Sequence, residues 1–229
     1  MKDNIYRKGI KMIMPFITLR WRRVVIDIDT QKHFFLDKSI ACIQNRQQVL
    51  SNVRRVMNGA YLHNIGMIST VQLCAGKDYY RNFYLTASEC EKKLNCTLCN
   101  RRISFDATGC TDLSPEILEN YAQIIFYKRC FDPFEEPRAD RMLSELNSDE
   151  FILIGASTEG AVKATALGLL RRRKKVTVLV DAVGSYKRTI GEVTLRLLRE
   201  RGAKLADTDK FLGSLDEMCG YPILRRAQL

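Results

Sequence analysis

The sequence predicts an α/β fold, with three αβα layers built around a six-stranded, mainly parallel, Rossmann-like sheet. Two observations indicate this class. Short apolar, β-branched runs alternate along the 229 residues with stretches that are apolar at three- and four-residue steps, as βαβ units require. Hydrophobic residues make up 46% of the chain, which is enough for a normal packed core. We therefore expect a parallel sheet that helices cover on both faces.

Six short apolar runs are the predicted strands. The first, Arg23–Ile28, is rich in β-branched residues and ends in polar ones. The other five lie at residues 67–73, 122–127, 151–154, 176–180 and 203–206.

Five periodic stretches are the predicted helices, at residues 45–63, 137–146, 159–172, 186–201 and 208–218. Pro137 suits the first turn of the second helix, and Gly202 ends the fourth. The apolar face predicted for the fourth helix consists of Ile190, Val193, Thr194, Leu197 and Leu198.

Positive charge is concentrated near the start of the chain and in one later run. We interpret residues 1–22 as a basic tail and residues 23–229 as one domain, because no internal repeat or low-complexity linker divides the chain. A second basic run spans residues 171–175, and the formal net charge is +11. This charge favours an anionic partner, whereas a solvated tail and a solvated helix end are the simpler interpretation.

No segment near the start has the composition of a membrane span. The longest apolar run there, residues 12–19, is interrupted by Pro15 and is far shorter than the ~20 residues that a spanning helix needs. Basic residues follow it where a signal peptide would carry small ones. We therefore expect a cytoplasmic protein without a membrane span.

A polar, cysteine-rich insertion is predicted at about residues 77–121. A connection of this length inside a compact domain is usually functional. Its four cysteines could enclose one structural zinc ion, or they could be reduced free thiols. These cysteines are Cys90, Cys96, Cys99 and Cys110.

Three predicted strands end in polar residues that could form a site. Asp29 follows the first strand, Lys128 ends the third, and a turn that begins at Gly155 follows the fourth. Because the carboxyl ends of parallel strands open on one edge of the sheet, a carboxylate, a lysine and a helix N-terminus should meet there.

These strand ends resemble the motifs of the isochorismatase-like cysteine hydrolases, a family that includes nicotinamidases and N-carbamoylsarcosine amidases. The family's Ile-Asp-x-Gln-x-x-Phe stretch is matched by residues 28–34, and its strand-end lysine by Lys128, with Phe134 nearby. Its Gly-x-x-Thr-x-x-Cys-Val motif, followed by Thr-Ala, is matched from Gly155 to Ala166 except at the cysteine. The next strand ends in the family's Asp-Ala pair, at 181–182.

The resemblance implies a site and a mechanism. In the family the cysteine attacks a carbonyl or related carbon, the aspartate takes the thiol proton, and the lysine lowers the thiol pKa. These roles fall on position 161, Asp29 and Lys128. Backbone N–H groups beyond a cis peptide, here 156–157, form the oxyanion hole. The oxyanion and pocket residues would be Ser157, Thr158, Gly160, Phe34 and Phe134.

Alanine occupies the nucleophile position, because residue 161 is Ala161. Three interpretations stay open: a natural non-catalytic homologue that binds a ligand or partner, an engineered knockout, or a hydrolase in which another group has replaced the thiol. Cys130 is the candidate replacement, since it lies two residues beyond Lys128, although most free cysteines are inert.

The functional hypotheses are therefore an inactive hydrolase-fold binding protein, an active hydrolase of C–N or vinyl-ether bonds, and a basic nucleic-acid-associated protein with a zinc knuckle. The resemblance implies no cofactor for catalysis, a small-molecule ligand and a homo-oligomer. Some relatives bind a metal through an aspartate and two histidines after the second strand. His33 and His63 lie outside that loop, so we do not expect this metal site.

Overall fold

A seven-stranded parallel sheet forms the centre of the protein. The structure, a computed structural model, describes residues 21–218 except 37, 38, 40 and 74–86. Its strands lie in the order β3-β4-β2-β1-β5-β6-β7, and every pairing is parallel. They are β1 Arg23–Ile28, β2 Gly66–Gln72, β3 Arg102–Phe105, β4 Gln123–Lys128, β5 Glu150–Ala156, β6 Val176–Gly184 and β7 Lys204–Ala206.

Helices cover both faces of the sheet, which confirms the predicted three-layer α/β class. In the described part of the chain, the longer helices are α1 Arg46–Leu62, α2 Pro137–Glu145, α3 Lys163–Arg171, α4 Arg188–Glu200 and α5 Thr208–Met218. Buried residues of α2, α3 and α4 share one core cluster with Ile26 and Ile28 of β1. Buried residues of α1 and α5 pack with Val25 on the other face.

The predicted number of strands was wrong by one. The missed strand is β3, a four-residue strand at the edge of the sheet. Its side chains alternate between exposed and half-buried, and it lies inside the polar insertion. Such a strand has no apolar run to distinguish it from a loop, since only one of its edges and part of one face are covered.

Helix α4 buries only part of the predicted face, because Thr194 and Leu198 are buried whereas the other three predicted residues are exposed. Ile190, Val193 and Leu197 are exposed by 45%, 59% and 40%. The buried residues are Gly191, Thr194 and Leu198. A Cβ on Gly191 would lie 2.1 Å from Ser185 Oγ, so this glycine allows the close approach that places the small face against the core.

The end of β5 passes unusually close to the end of β1. A Cβ on Gly155 would lie 1.9 Å from the carbonyl oxygen of Ile28, and Gly155 has φ 116°. Only glycine combines this backbone conformation with this contact. The two strand ends that carry Asp29 and the turn after Gly155 are therefore held side by side.

The insertion is attached to the sheet by a buried ion pair between Lys93 and Asp27 of β1. Lys93 Nζ lies 2.8 Å from Asp27 Oδ2, with side chains only 3% and 0% exposed. The same ammonium donates to Thr30 Oγ1 at 2.9 Å and to the Thr70 carbonyl at 3.2 Å. One lysine of the insertion therefore penetrates to the central strand.

Two predictions lie partly outside the described residues. The basic tail at residues 1–22 is described only at Trp21 and Arg22, and the predicted insertion is described from residue 87 onward. Among the helices that the structure describes, none is both long and apolar enough to cross a membrane.

We expect Gly155→Ala to lower the free energy of unfolding by about 3 kcal/mol or more, because the added methyl group meets backbone and the left-handed φ is strained. Urea unfolding followed by circular dichroism measures this loss. Gly213→Ala is the control: it lies in α5 with open space around its Cβ position, and alanine there should stabilise by about 0.5–1 kcal/mol. Equal effects of both substitutions would contradict the close contact between β5 and β1.

We expect Lys93→Met to lower the free energy of unfolding by about 3–5 kcal/mol, because it leaves the buried Asp27 carboxylate without its cation. The same unfolding assay applies. Lys92→Met should change stability by less than about 0.5 kcal/mol, because this neighbouring lysine is exposed. Adding Asp27→Asn to Lys93→Met should recover part of the loss, and a further drop in the double variant would contradict the assignment.

Candidate functional site

Asp29 and Lys128 form a buried ion pair at the carboxyl edge of the sheet. Lys128 Nζ lies 2.7 Å from Asp29 Oδ2, and the two side chains are 0% and 1% exposed. Strand β2 lies between their strands and supplies a partner to each. Thr70 Oγ1 donates to Asp29 Oδ1 at 2.6 Å, and Lys128 Nζ donates to Gln72 Oε1 at 2.8 Å. The structure thus brings together the predicted carboxylate and lysine.

Gln31 and His33 connect the loop after β1 to the insertion. The Gln31 amide accepts from the Gln72 backbone N–H at 2.8 Å and donates to the Cys90 carbonyl at 2.9 Å. His33 Nδ1 lies 2.9 Å from the same carbonyl, which can only accept, so Nδ1 carries the proton. Burial lowers the pKa of His33, and its imidazole is therefore neutral at neutral pH.

The turn after β5 has the backbone that the family resemblance implies. The peptide bond between Ala156 and Ser157 is cis, as predicted. A turn, Thr158–Val162, follows it, departs from helical geometry at Gly160 (φ -106°, ψ -107°) and leads into α3. Thr158 Oγ1 donates to the Gly184 carbonyl at 2.9 Å, and the Gly160 N–H donates to the Ser157 carbonyl at 3.1 Å. Ser157, Thr158, Gly160 and Ala161 therefore lie on one short, tied turn.

Ala161 is buried on this turn, with 1% of its surface exposed. It belongs to the core cluster that contains Val162 and Ala166, and its carbonyl accepts from Thr165 Oγ1 at 2.8 Å. A methyl group can neither attack a carbonyl carbon nor give up a proton. The predicted nucleophile position is therefore part of the packed core.

The two predicted pocket aromatics make packing contacts. Phe34 belongs to the core cluster on the α1 side of the sheet, and its ring centroid lies 6.1 Å from that of Tyr186. Phe134 lies against Gly168, whose Cβ would be 2.1 Å from the ring, and the Arg172 guanidinium stacks 3.8 Å from its centroid. Gly168 is almost two helical turns beyond Ala161, so these contacts hold α3 in place.

Sequence reasoning missed three residues near the site. Thr70 and Gln72 stand out in hindsight, because they are polar residues near the end of a strand that is predicted to be buried on both faces. Phe131 is 56% exposed, and a Cβ on Gly160 would lie 3.8 Å from its ring. An aromatic residue in a loop gives no sequence signal of this position.

Cys130 is poorly suited to replace the missing nucleophile. Strand β4 ends at Lys128, and the Cys130 side chain is exposed in the bend that follows. A hydrogen bond to the Glu135 side chain raises the pKa of the Cys130 thiol. The thiolate is the reactive form, so this contact lowers the reactivity of the thiol at neutral pH.

The prediction of a structural zinc ion is not supported. Among the described residues, no group of three or more His, Cys, Asp or Glu side chains is placed to hold a metal. Cys90 and Cys99 are buried, whereas Cys96 and Cys110 are exposed. The Cys99 thiol points to Met67 Sδ at 3.7 Å, and burial raises its pKa. Cys96 lies on a 3-10 turn, Asn95–Thr97, and is exposed, whereas Cys99 follows this turn and is buried, so the two thiols do not face a common site.

Much of the basic run at residues 171–175 has partners within the domain. Arg172 pairs with Asp140 at 2.7 Å, and Arg171 lies 3.7 Å from Asp132. Lys174 Nζ donates to the Leu146 carbonyl at 2.9 Å. These contacts support the interpretation of the run as a helix end that is tied to its neighbours.

Comparison with known families gives a match over most of the chain. The family model described as the isochorismatase domain matches residues 23–210. No curated protein matches the chain.

Solved structures share the fold of this chain, and they are named both as isochorismatase-like hydrolases and as a ribonuclease. An isochorismatase-like hydrolase from Alkaliphilus metalliredigens is 16% identical with a TM-score of 0.66, over 84% of this chain and 98% of that one. A putative isochorismatase hydrolase from Oleispira antarctica is 11% identical with a TM-score of 0.67, over 85% and 98%. The MAR1 ribonuclease from Caenorhabditis elegans is 18% identical with a TM-score of 0.59, over 92% and 97%.

We expect iodoacetamide to alkylate Cys130 slowly at pH 7 and faster as the pH rises through its raised pKa, because only the thiolate reacts. Glu135→Gln should move this rate profile to lower pH, since it removes the carboxylate that holds the proton. Peptide mass spectrometry measures the rate, with the exposed Cys110 of the same sample as the internal reference. A profile for Cys130 that Glu135→Gln leaves unchanged would contradict the contact.

Proposed function

The chain belongs to the isochorismatase family, and we propose that it uses the family's hydrolase framework to bind a small ligand without hydrolysing it. The observation that carries this proposal is Ala161 at the position that the family motif gives to the nucleophile, together with a buried Asp29–Lys128 pair and a turn that begins with a cis peptide bond. The isochorismatase-like hydrolase fold supports the ancestry, and the alanine supports the loss of turnover.

The chemical reason is that the remaining groups have nothing to activate. In the cysteine mechanism the aspartate accepts the thiol proton and the lysine stabilises the thiolate. Here both side chains are engaged with each other and with β2. Asp29 could still orient a water molecule, but a covalent intermediate has no atom on which to form.

The expected ligand carries a carbonyl or carboxylate oxygen. The turn Thr158–Val162 leads into α3 and therefore lies at the positive end of that helix, which favours a ligand oxygen, while its Gly160 and Val162 N–H groups already donate to the Ser157 carbonyl. Phe131 offers an exposed apolar surface beside Gly160 for the rest of the ligand. A bound ester or amide would therefore be positioned as a substrate and released unchanged.

An active hydrolase is the first alternative. It requires a nucleophile other than residue 161, and Cys130 is the candidate that the sequence offers. The exposed position and the raised pKa of Cys130 count against it. We therefore rank this alternative below ligand binding.

A nucleic-acid-associated protein is the second alternative. The formal net charge of +11 favours it, and one structural relative is named a ribonuclease. The contacts of Arg171, Arg172 and Lys174 within the domain count against the later basic run as a binding surface. The described residues do not support the zinc knuckle that this hypothesis included.

An anionic partner for the basic tail, a homo-oligomer and a cytoplasmic location stay predictions from the sequence.

We expect the protein to hydrolyse no member of a panel of amides, carbamoyl compounds and isochorismate, and Ala161→Cys to gain measurable turnover of at least one. The reason is that a thiol at residue 161 would lie on the turn after β5, which the contact of Gly155 with Ile28 holds next to the end of β1 that carries Asp29. Product release, followed by chromatography, measures the gain.

Two controls sharpen this test. Serine is close to cysteine in size, and we expect Ala161→Ser to have about a hundredth or less of the activity of Ala161→Cys, because a serine hydroxyl is far harder to ionise than a thiol. Asp29→Asn in the Ala161→Cys background should abolish the gained activity. Turnover by the unmodified protein would overturn the binding proposal.

A further inference from the structure

A cavity opens on the face of the sheet that lies opposite Lys128. Its volume is about 430 Å³, and its floor includes Val71, Ile125 and Tyr127. Alternate residues of a strand point to opposite faces, so Ile125 and Tyr127 face away from Phe126 and Lys128 of the same strand. The cavity is therefore separated by the sheet from the Asp29–Lys128 pair.

The wall of the cavity is a segment of the insertion that is held by backbone hydrogen bonds. The Lys32 N–H donates to the Lys92 carbonyl at 2.9 Å, and the Leu94 N–H donates to the Thr30 carbonyl at 2.9 Å. Gln31 and Lys93 form an antiparallel bridge between these two bonds. The side chains of Lys32 and Lys92 consequently line the cavity from a fixed backbone.

The lining is strongly positive. Its cations are Lys32, Lys92, Lys93 and Arg102, and its carboxylate is Glu91. Asp27 neutralises Lys93 from below, which leaves three cations against one anion. A concave surface with charges of one sign concentrates ions of the other sign.

We propose that this cavity binds a small molecule that carries a phosphate group. The phosphate would lie among Lys32, Lys92 and Arg102, because guanidinium and ammonium groups form strong charge-assisted hydrogen bonds with phosphate oxygens. The apolar floor of Val71, Ile125 and Tyr127 would contact the organic part. The volume falls within the range of about 300–1,000 Å³ that small-ligand sites occupy.

This binding site is independent of the proposed function, because the two sites occupy opposite faces of the sheet. A long nucleic acid would need a continuous basic track, whereas these three cations surround one concave site. Binding of a nucleic acid and binding of a small phosphate-bearing molecule can therefore be distinguished by experiment.

The test is isothermal titration of the full chain with inorganic phosphate, adenosine 5′-monophosphate and adenosine. We expect saturable binding of both phosphate-bearing probes at one site, and none of adenosine. Lys92→Glu should weaken the binding of the monophosphate about tenfold, because it removes one charged hydrogen-bond donor and adds an opposing charge.

Lys175→Glu is the matched control. Lys175 is also an exposed lysine whose backbone carbonyl accepts a hydrogen bond, but it lies at the amino edge of the sheet. The Lys175→Glu substitution should leave the dissociation constant for the monophosphate within about twofold of the value for the unmodified protein. Circular dichroism of both variants verifies that they remain folded.

Hydrogen exchange with the monophosphate bound locates the site. We expect added protection at residues 91–98 and 102–104. Three outcomes would overturn the proposal: no saturable binding of either phosphate-bearing probe, equal weakening by both lysine variants, or protection at residues 157–162 instead. If a single-stranded RNA bound much more tightly than the monophosphate, and both variants weakened its binding equally, the positive charge would serve nucleic-acid binding and not a small phosphate-bearing ligand.

Discussion

The neutralisation of two buried carboxylates on the central strand is the constraint on which the rest of the structure depends. Asp27 and Asp29 are two residues apart on β1 and its extension, so in a regular strand they would share one face of the sheet. Asp29 instead has φ 46°, in the left-handed region. This turn directs its carboxylate to Thr70 and Lys128, while Asp27 meets Ser69 and Lys93 on the other face. Each carboxylate obtains its own lysine, and each lysine ties a distant segment to β1.

The order of the motifs predicted the first of these pairs but could not predict the second. Asp29 and Lys128 both follow apolar strands, and the topology of a parallel sheet brings such residues to one edge. Lys93 lies beside Lys92 in a polar segment, and one of the two is buried while the other is exposed. Nothing in the local sequence distinguishes them, since the difference arises from the contact of a long segment with a strand more than sixty residues away.

The difference between local sequence pattern and distant contacts also explains which strands and helix faces were predicted correctly. Strands β1, β2, β4, β5 and β6 are buried on both faces, and their apolar character is visible in the sequence. The edge strand β3 and the buried face of α4 depend on neighbouring elements, so periodicity alone missed the strand and predicted only Thr194 and Leu198 of the buried face. Asp181 was recognised only as part of a motif. Its oxygens accept from Thr208 and Asn52, so it caps α5 and holds α1 against β6. A motif thus marks an important position without revealing whether the role is chemical or structural.

The retained Asp29–Lys128 pair is difficult to explain by stability alone. Removing two charges from water costs several kcal/mol per ion, and a buried pair often contributes no more stability than apolar residues of similar volume. Its geometry is nevertheless complete, because β2 satisfies both partners. The loop Thr30–Lys32 adds a second reason to keep this edge rigid: it forms one side of the ion-pair site and is bridged to the cavity wall at Lys92 and Lys93. A rigid, charged framework without a nucleophile is suited to recognition, since binding requires the positions of the polar groups and not the chemistry of the absent thiol.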